Sequence, residues 1–156
     1  MSSYTPPVPD TVDSDDARTR EALESLIDIA ADGVEGHKRS AELVEDAVAK
    51  PLFELWSRQR ADFLATLQQF GAEYNVTTGD PGTGTGTVHR AWLTTLEAVA
   101  GDDAVIGAAA TGESVAIASY ESALENDLPS ELRTVVQEQY NSIREIHERL
   151  ENWDAV

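Results

Sequence analysis

The sequence predicts an all-α protein, a single antiparallel four-helix bundle with one long connection between its second and third helices. Four segments carry apolar residues at intervals of three and four, which is the periodicity of a helix that buries one face. Short turns separate the first two and the last two of these segments, whereas a long Gly- and Thr-rich stretch separates the middle pair. The chain has 156 residues, 41% of them apolar, which suits one domain around one core.

The first predicted helix follows a polar tail. Residues 1–14 are rich in Pro, Ser and Asp and are expected to be flexible, which leaves residues 15–156 for the bundle. Two aspartates at the start of that domain suit the N-cap or first turn of a helix over 15–47. Gly33 and Gly36 lie inside it, and each costs up to about 1 kcal/mol relative to Ala. We therefore expect another helix to approach closely at these glycines.

The second helix and the long connection occupy the middle of the chain. Pro51 suits the first turn of a helix that we expect to end near residue 74. Residues 75–87 contain a Gly-Asp-Pro-Gly turn and a GTGTGT run, which predict a loop rather than a strand. A short extra helix is predicted over 88–100, with an apolar face that includes Trp92 and Leu96.

The last two helices are expected to form a second hairpin. The third is predicted over about 103–126 and the fourth over about 131–153, joined by a tight turn in which Ser130 is a good N-cap. The middle connection is long enough to travel back along the bundle. A bundle with one such crossover has the ferritin-like topology.

The charge of the chain argues against several classes of partner. It has 29 acidic and 11 basic residues and a net charge of −18, and its only lysines are Lys38 and Lys50. Phosphates would be repelled, so we expect binding neither to nucleic acid nor to a membrane. Many carboxylates with so few lysines resemble the proteins of halophiles that accumulate salt. An ordinary acidic cytosolic protein is the alternative.

Features that are missing from the sequence bear on its location. The chain has no cysteine, which excludes disulfides and thiolate metal sites. Its N-terminus lacks the basic and apolar regions of a signal peptide, and no apolar run approaches the ~20 residues that span a membrane. We expect a cytoplasmic location.

Polar side chains on the inner faces of the predicted helices form the candidate functional site. Helical wheels place four of them on inner faces at one height across the bundle: His37, Gln59, Glu113 and Gln139. Arg60 falls at the margin of the inner face of the second helix, and Tyr120 lies two turns beyond Glu113 on the third. The buried polar layer is therefore expected to contain Gln59, Arg60, Glu113, Tyr120 and Gln139.

The role of this layer is open between two main readings. An ionised Glu113 that is buried without partners is very costly, so it must be hydrogen-bonded, ion-paired or bound to a metal. In one reading the layer is a satisfied polar network that fixes the register of the helices. In the other it binds iron or another divalent metal through Glu113, His37 and His147. The chain has no Glu-x-x-His motif, and a full di-iron site requires two. A layer that holds a small ligand, or a helix register that leaves Glu113 exposed, are further alternatives.

Five stretches of the chain resemble a known family of bacterial and archaeal proteins, a ferritin-like four-helix-bundle family labelled a domain of unknown function. The stretches are 26–42, 52–67, 88–99, 112–136 and 139–153. Among their motifs are the Asp-Gly-x-x-Gly of the first helix and the His-Arg-x-Trp of the crossover. The resemblance implies the ferritin-like bundle and a cytoplasmic, stress-associated role, without an established activity. In that family an aromatic residue usually stands at the place of His37, whereas Glu113, Gln59, Gln139, Tyr120 and His147 match its pattern.

Two functions from different classes follow from these observations. The first is a non-enzymatic bundle with a buried polar layer, which acts in stress physiology or through contacts with an unknown protein partner. The second is a metal-binding protein that stores or oxidises iron at a degenerate site around Glu113. No cofactor is certain, and the sequence favours a role that is not catalytic. Surplus apolar residues of the crossover helix (Trp92, Leu93 and Leu96) would allow a homodimer.

Overall fold

The computed structural model describes residues 10–76, 92, 94, 96 and 101–153, with the side chains of residues 10–14 excepted. In these residues there are four α-helices and no strand. The helices are α1 (Asp10–Leu43), α2 (Ala49–Glu73), α3 (Asp102–Leu124) and α4 (Ser130–Glu151). The predicted all-α class with four long helices is confirmed.

The boundaries of α1 differ from the prediction at both ends. The helix begins at Asp10, inside the segment predicted as a tail, so the aspartates at 15 and 16 lie within the helix and do not cap it. Residues 1–9 lie outside the described residues, and flexibility of the tail stays a prediction. α1 ends at Leu43, before the predicted residue 47. The reason is Asp46, whose carboxylate accepts the backbone N–H groups of Val48 and Ala49 at 2.8 and 2.9 Å and so satisfies donors at the start of α2.

The remaining boundaries lie within two residues of the prediction. After α2, Asn75 adopts a positive φ of 60°, a conformation that Asn tolerates better than most residues and that ends the helix. Pro129, not Ser130, precedes α4 as its N-cap. Of the predicted crossover helix, Trp92, Thr94 and Leu96 are described, and all three have helical backbone. The rest of that helix and the predicted loop from residue 77 lie outside the described residues.

Hydrogen bonds between helix ends show how the elements are arranged. Arg20 Nε donates to the carbonyl of Tyr74 at 2.9 Å, which places the N-terminal third of α1 beside the end of α2. The Asp102 carboxylate accepts the N–H groups of Glu45 and Asp46, both at 2.9 Å, which places the start of α3 beside the end of α1. Tyr74 and Asp102 therefore lie at opposite ends of α1. The end of α3 lies beside the start of α4, where Arg133 Nη1 donates to the Leu124 carbonyl at 3.2 Å.

The hydrophobic core consists of two clusters with a polar layer between them. The first cluster is built from α1, α2, α3 and α4 around Leu23, Ile27, Leu67, Tyr120, Val136 and Ile143. The second is built around Phe53, Trp56, Trp92, Leu96, Ala109, Ile146 and Leu150. In α2 and α3 one buried polar residue, Arg60 or Glu113, separates the members of the two clusters, and in α1 three do, namely Asp32, His37 and Ser40. The interior of the bundle is thus apolar at both ends and charged in the middle.

Glycines in α1 and α3 make room for large side chains. A Cβ built on Gly36 would lie 2.5 Å from ring atoms of Trp92, and one on Gly112 would lie 2.6 Å from the same ring. A Cβ on Gly33 would lie 3.0 Å from Arg60 Cγ. The close approach expected at Gly33 and Gly36 is thus made by the side chains of Arg60 and Trp92.

The insertion of Trp92 also corrects the predicted dimer surface. Trp92 is 6% exposed and Leu96 is 1% exposed, so both belong to the second core cluster of their own chain. Leu93 lies outside the described residues. Trp92 and Leu96 are therefore not available to a homodimer interface.

None of the described helices is long and apolar enough to cross a membrane.

Substitution of the glycines beneath Trp92 tests this packing. We expect Gly36→Ala and Gly112→Ala each to lower the free energy of unfolding by about 1–3 kcal/mol, because the added methyl group overlaps the indole ring. Gly107→Ala is the matched control, since Gly107 is an exposed position of α3 with no atom within 4 Å of its Cβ. It should stabilise the protein by about 0.5–1 kcal/mol. Urea denaturation followed by circular dichroism measures all three, and equal stability of the three variants would contradict the packing.

Candidate functional site

The candidate site is a buried triad in which one carboxylate joins three helices. Glu113 of α3 is fully buried, and its Oε1 lies 3.0 Å from Nε2 of His37 in α1. Its Oε2 accepts a short hydrogen bond from Nη2 of Arg60 in α2. His37 is also fully buried, and Arg60 is 1% exposed. Three of the polar side chains that the sequence singled out, His37, Arg60 and Glu113, are therefore in contact, with Glu113 at the centre.

Small residues of α1 create the space for this triad. Gly33 lies one turn before His37, and the Cγ and Cδ atoms of Arg60 pass over it at 3.0 and 3.3 Å from a constructed Cβ. Ala41 lies one turn after His37 and is buried. A larger side chain at position 33 would meet the arginine stem, so the local sequence of α1 decides that a long side chain from α2 can reach the middle of the bundle.

The three groups carry one negative and one positive charge at neutral pH. Burial by itself would raise the pKa of Glu113, but the nearby Arg60 guanidinium, with His37, lowers that pKa to about 2. Burial lowers the pKa of His37, and although Glu113 opposes this effect, the net shift is downward. Glu113 is therefore ionised and His37 is neutral. Because an ionised carboxylate can only accept, His37 Nε2 carries the proton and its N–H donates a hydrogen bond to Glu113.

Aromatic rings explain why His37 is so strongly desolvated. The centroid of its imidazole lies 5.9 Å from that of Phe53, 5.8 Å from that of Trp56 and 5.2 Å from that of Trp92. The rings of Trp56 and Trp92 are steeply inclined to the imidazole, at 62° and 83°. These rings exclude water from His37 and offer no strong hydrogen-bond acceptor to a protonated imidazole.

Tyr120 and Gln139 form a second buried polar pair. The Tyr120 hydroxyl donates to Oε1 of Gln139 at 2.6 Å, linking α3 to α4. Burial raises the pKa of Tyr120, and the charges of Arg60 and Glu113 also act on it. The pair lies among the residues of the first core cluster, next to the triad, and the hydroxyl stays protonated at neutral pH.

Gln59 and Arg60, which are neighbours in α2, each lie where the other was predicted to lie. Gln59, which was expected on the inner face, is half-buried. Arg60, which was expected at the margin, points inward and makes the ion pair. Gln59 Oε1, His37 Nδ1, Arg60 Nε and Trp92 Nε1 are buried and make no hydrogen bond with a residue of the described part. An unmade hydrogen bond of this kind costs about 1–3 kcal/mol, which offsets part of the stabilisation from the triad.

His147 does not join Glu113. Its Nε2 lies 3.0 Å from Ser114 Oγ and 3.3 Å from the Glu151 carboxylate, and its side chain is 24% exposed. Within the described ranges, no three His, Cys, Asp or Glu side chains come together in a group that could hold a metal ion. Glu113 and His37 alone would supply two ligands, and Arg60 already occupies the second carboxylate oxygen, so this donor set fits a metal poorly.

Comparison with known proteins places the chain in a family. The family described as Domain of unknown function (DUF2383) matches residues 18–126, which is more than half of the chain. The chain belongs to the DUF2383 family. The match includes all three residues of the triad, and α4 lies beyond it. The resemblance to a family of unknown function that the sequence indicated is confirmed. None of the curated proteins matches this DUF2383 chain.

Within the DUF2383 domain, sequence reasoning missed the aromatic surroundings of His37. It placed Trp92 on the apolar face of the crossover helix and did not connect it, or Trp56, to the histidine. The available signal was the pair of glycines at positions 36 and 112, each inside a helix, where Gly is disfavoured unless space is needed.

Removal of the negative charge of Glu113 tests the triad. We expect Glu113→Gln to lower the free energy of unfolding by about 3–5 kcal/mol, because Arg60 would keep a buried charge without a partner. Glu42→Gln is the matched control, since it removes an ion pair with Arg39 in which the side chains are 42% and 52% exposed. That change should cost less than about 1 kcal/mol. Urea denaturation at pH 7 measures both, and similar losses in the two variants would show that Glu113 is not paired as described.

The pH dependence of stability tests the protonation state of His37. Its pKa is lower in the folded protein than in the unfolded chain, so the unfolded chain binds the proton more readily. Stability should therefore fall as the pH falls from about 7 through the unfolded value of about 6.5, with a slope of up to about 1.4 kcal/mol per pH unit. His37→Phe should remove this slope, whereas His147→Gln should retain it. A slope between pH 7 and 6, above the range in which carboxylates titrate, that survives in His37→Phe would contradict a neutral His37.

Proposed function

We propose that this DUF2383 domain is a non-catalytic, ferritin-like antiparallel four-helix bundle whose buried triad fixes the register of its helices, and that it acts through contacts with other proteins. The observation that carries the proposal is that both oxygens of Glu113 are already engaged by His37 and Arg60 inside the protein. A carboxylate that is fully buried and fully paired at neutral pH can have a purely structural role, which requires neither a substrate nor a metal.

The meeting of helix ends supports the antiparallel arrangement. α2 returns beside α1, α3 starts where α1 ends, and α4 returns beside α3. Because Tyr74 and Asp102 lie at opposite ends of α1, the intervening chain connects the two ends of the helices, as a long crossover does. The helical backbone at Trp92 and Leu96 supports a short helix within that crossover.

The energetic consequence of a shift in register supports a structural role for the triad. If α3 slid by one turn relative to α1 and α2, Ala109 or Ala116 would replace Glu113 at the level of Arg60. Arg60 would then be a buried charge without a partner, which costs about 3–5 kcal/mol. The triad therefore raises the free energy of shifted helix registers, which would cost much less in an all-apolar core of alanines and leucines.

Access to the triad argues against catalysis. Four grooves on the described surface are lined by other residues, and His37, Arg60 and Glu113 line none of these four. General acid–base chemistry requires contact with a substrate. The lowered pKa of Glu113 also makes it a weak base, which suits an ion pair better than proton transfer.

Metal binding is the alternative proposal. The contact between the Glu113 carboxylate and the His37 imidazole brings together two ligand types that iron and zinc accept. A bound ion would have to displace Arg60 from one carboxylate oxygen and recruit further ligands.

The stress-associated role that the family resemblance implies is part of our main proposal. Constant abundance of the protein under heat, oxidant and osmotic shock would remove that part.

Iron titration separates the two proposals. We expect tag-free protein in concentrated salt to bind no stoichiometric Fe(II) and to unfold at the same temperature with and without a chelator. Weak binding to surface carboxylates is removed by the salt, because the Debye length falls to about 3 Å at 1 M. Stoichiometric iron that resists salt and is lost in Glu113→Gln, with the variant still folded by circular dichroism, would establish the metal site in place of the structural one.

A further inference from the structure

Two large hydrophobic side chains at the start of α2 are exposed. Val48 is 59% exposed and Leu55 is 50% exposed, whereas most large hydrophobic residues of the described part are buried or half-buried. Pro51 between them is also exposed. Positions 48, 51 and 55 share one face of a helix, and α2 buries Phe53 and Trp56 on the other side. The outer face of α2 thus carries an apolar ridge, which we define as Val48, Pro51 and Leu55.

A basic groove lies beside this ridge. The groove, of about 430 Å³, runs between α1 and α2, and its charged lining residues are Lys38, Lys50, Arg58, Glu42 and Glu54. It therefore contains both lysines of the chain. Glu42 is already paired with Arg39 at 2.8 Å, and Lys50 Nζ is held by the Ala41 carbonyl at 2.7 Å. The basic side chains that line the groove therefore outnumber the acidic ones.

This local charge is the reverse of the charge of the whole molecule. The chain has 29 acidic and 11 basic residues, so an average patch of its surface is strongly negative. Arg58 is three residues from Leu55 and is its neighbour on the helix surface. The apolar ridge and the basic groove are therefore one continuous surface, and its chemistry differs from that of the rest of the protein.

The size and charge of this surface determine which kind of partner it can bind. Two half-exposed side chains offer far less than the ~800 Å² per partner of a stable protein interface, which argues against a permanent dimer. A second copy would bring a net charge of −18, while its large apolar residues are mostly in its own core. An amphipathic helix with acidic flanks matches both parts, because its apolar side can cover the ridge while its carboxylates face the lysines.

We propose that the apolar ridge and the basic groove together are a docking surface for an acidic amphipathic helix of another protein. Val48 and Leu55 are the anchors for apolar residues spaced two turns apart, and Lys38, Lys50 and Arg58 contact carboxylates on the flank of the partner. The proposal rests on the part of the proposed function that assigns this domain a role through protein contacts. It does not depend on the buried triad, so each can fail while the other stands.

A designed peptide tests this surface directly. The probe is a fluorescein-labelled helical peptide of 18 residues, with leucines along one face and glutamates on the other. Its binding to the full chain is followed by fluorescence anisotropy in about 0.15 M salt, where a Debye length of about 8 Å screens remote carboxylates while contacts within the groove persist. A second peptide with glutamine in place of leucine has the same charge and should bind at least about tenfold more weakly, a difference of about 1.4 kcal/mol.

Matched variants of the protein locate the binding. Leu55→Asp should weaken binding of the acidic probe about tenfold or more, whereas Thr111→Asp, which adds the same charge at an exposed position of α3, should change it less than about twofold. Arg58→Glu should weaken binding similarly, with Arg18→Glu on the exposed side of α1 as its control. Circular dichroism checks that each variant is folded.

Three results would overturn the proposal. The first is no binding of the acidic probe to the wild-type chain. The second is binding that Leu55→Asp and Arg58→Glu leave unchanged. The third is self-association of the wild-type chain that Leu55→Asp abolishes in sedimentation, which would show that a second copy covers the ridge. None of these results alters the expected instability of Glu113→Gln, so failure of the docking surface can be told from failure of the structural triad.

Discussion

The ion pair between Glu113 and Arg60 is the constraint on which the rest of the bundle depends. A charge in the middle of a core is tolerated only when a partner is held in place, and here the partner comes from another helix. His37 satisfies the second carboxylate oxygen from a third helix. The relative positions of α1, α2 and α3 are therefore set by hydrogen-bond geometry, which is directional, as well as by apolar packing, which is not.

The packing around His37 follows from the same constraint. The neutral imidazole donates one hydrogen bond to Glu113, and three aromatic rings keep water away from it. Trp92 reaches this position because Gly36 and Gly112 leave room for its ring. Part of the long middle connection is thereby packed into the core, and the second core cluster is completed by residues that do not belong to the four long helices.

The interior and the surface of the protein suggest different roles. The polar interior is enclosed and internally paired, which favours structure over chemistry. The surface is strongly acidic, because the chain carries a net charge of −18. Against this background, a basic groove beside exposed hydrophobic residues on α2 is the surface best suited to a specific partner. Membership of the DUF2383 family assigns no activity that conflicts with these roles.

The sequence by itself determined the all-α class and the four helical segments and predicted Glu113 on an inner face, because the period of apolar residues in a helix is a local property. Only the tertiary structure decided that Arg60 and not Gln59 points inward. Neighbouring residues differ by about 100° around a helix, so the choice depends on where the other helices stand. For the same reason, the sequence did not show that His147 lies away from Glu113. Nor did it show that Trp92 is buried, because its position depends on two glycines in helices that are distant in the sequence.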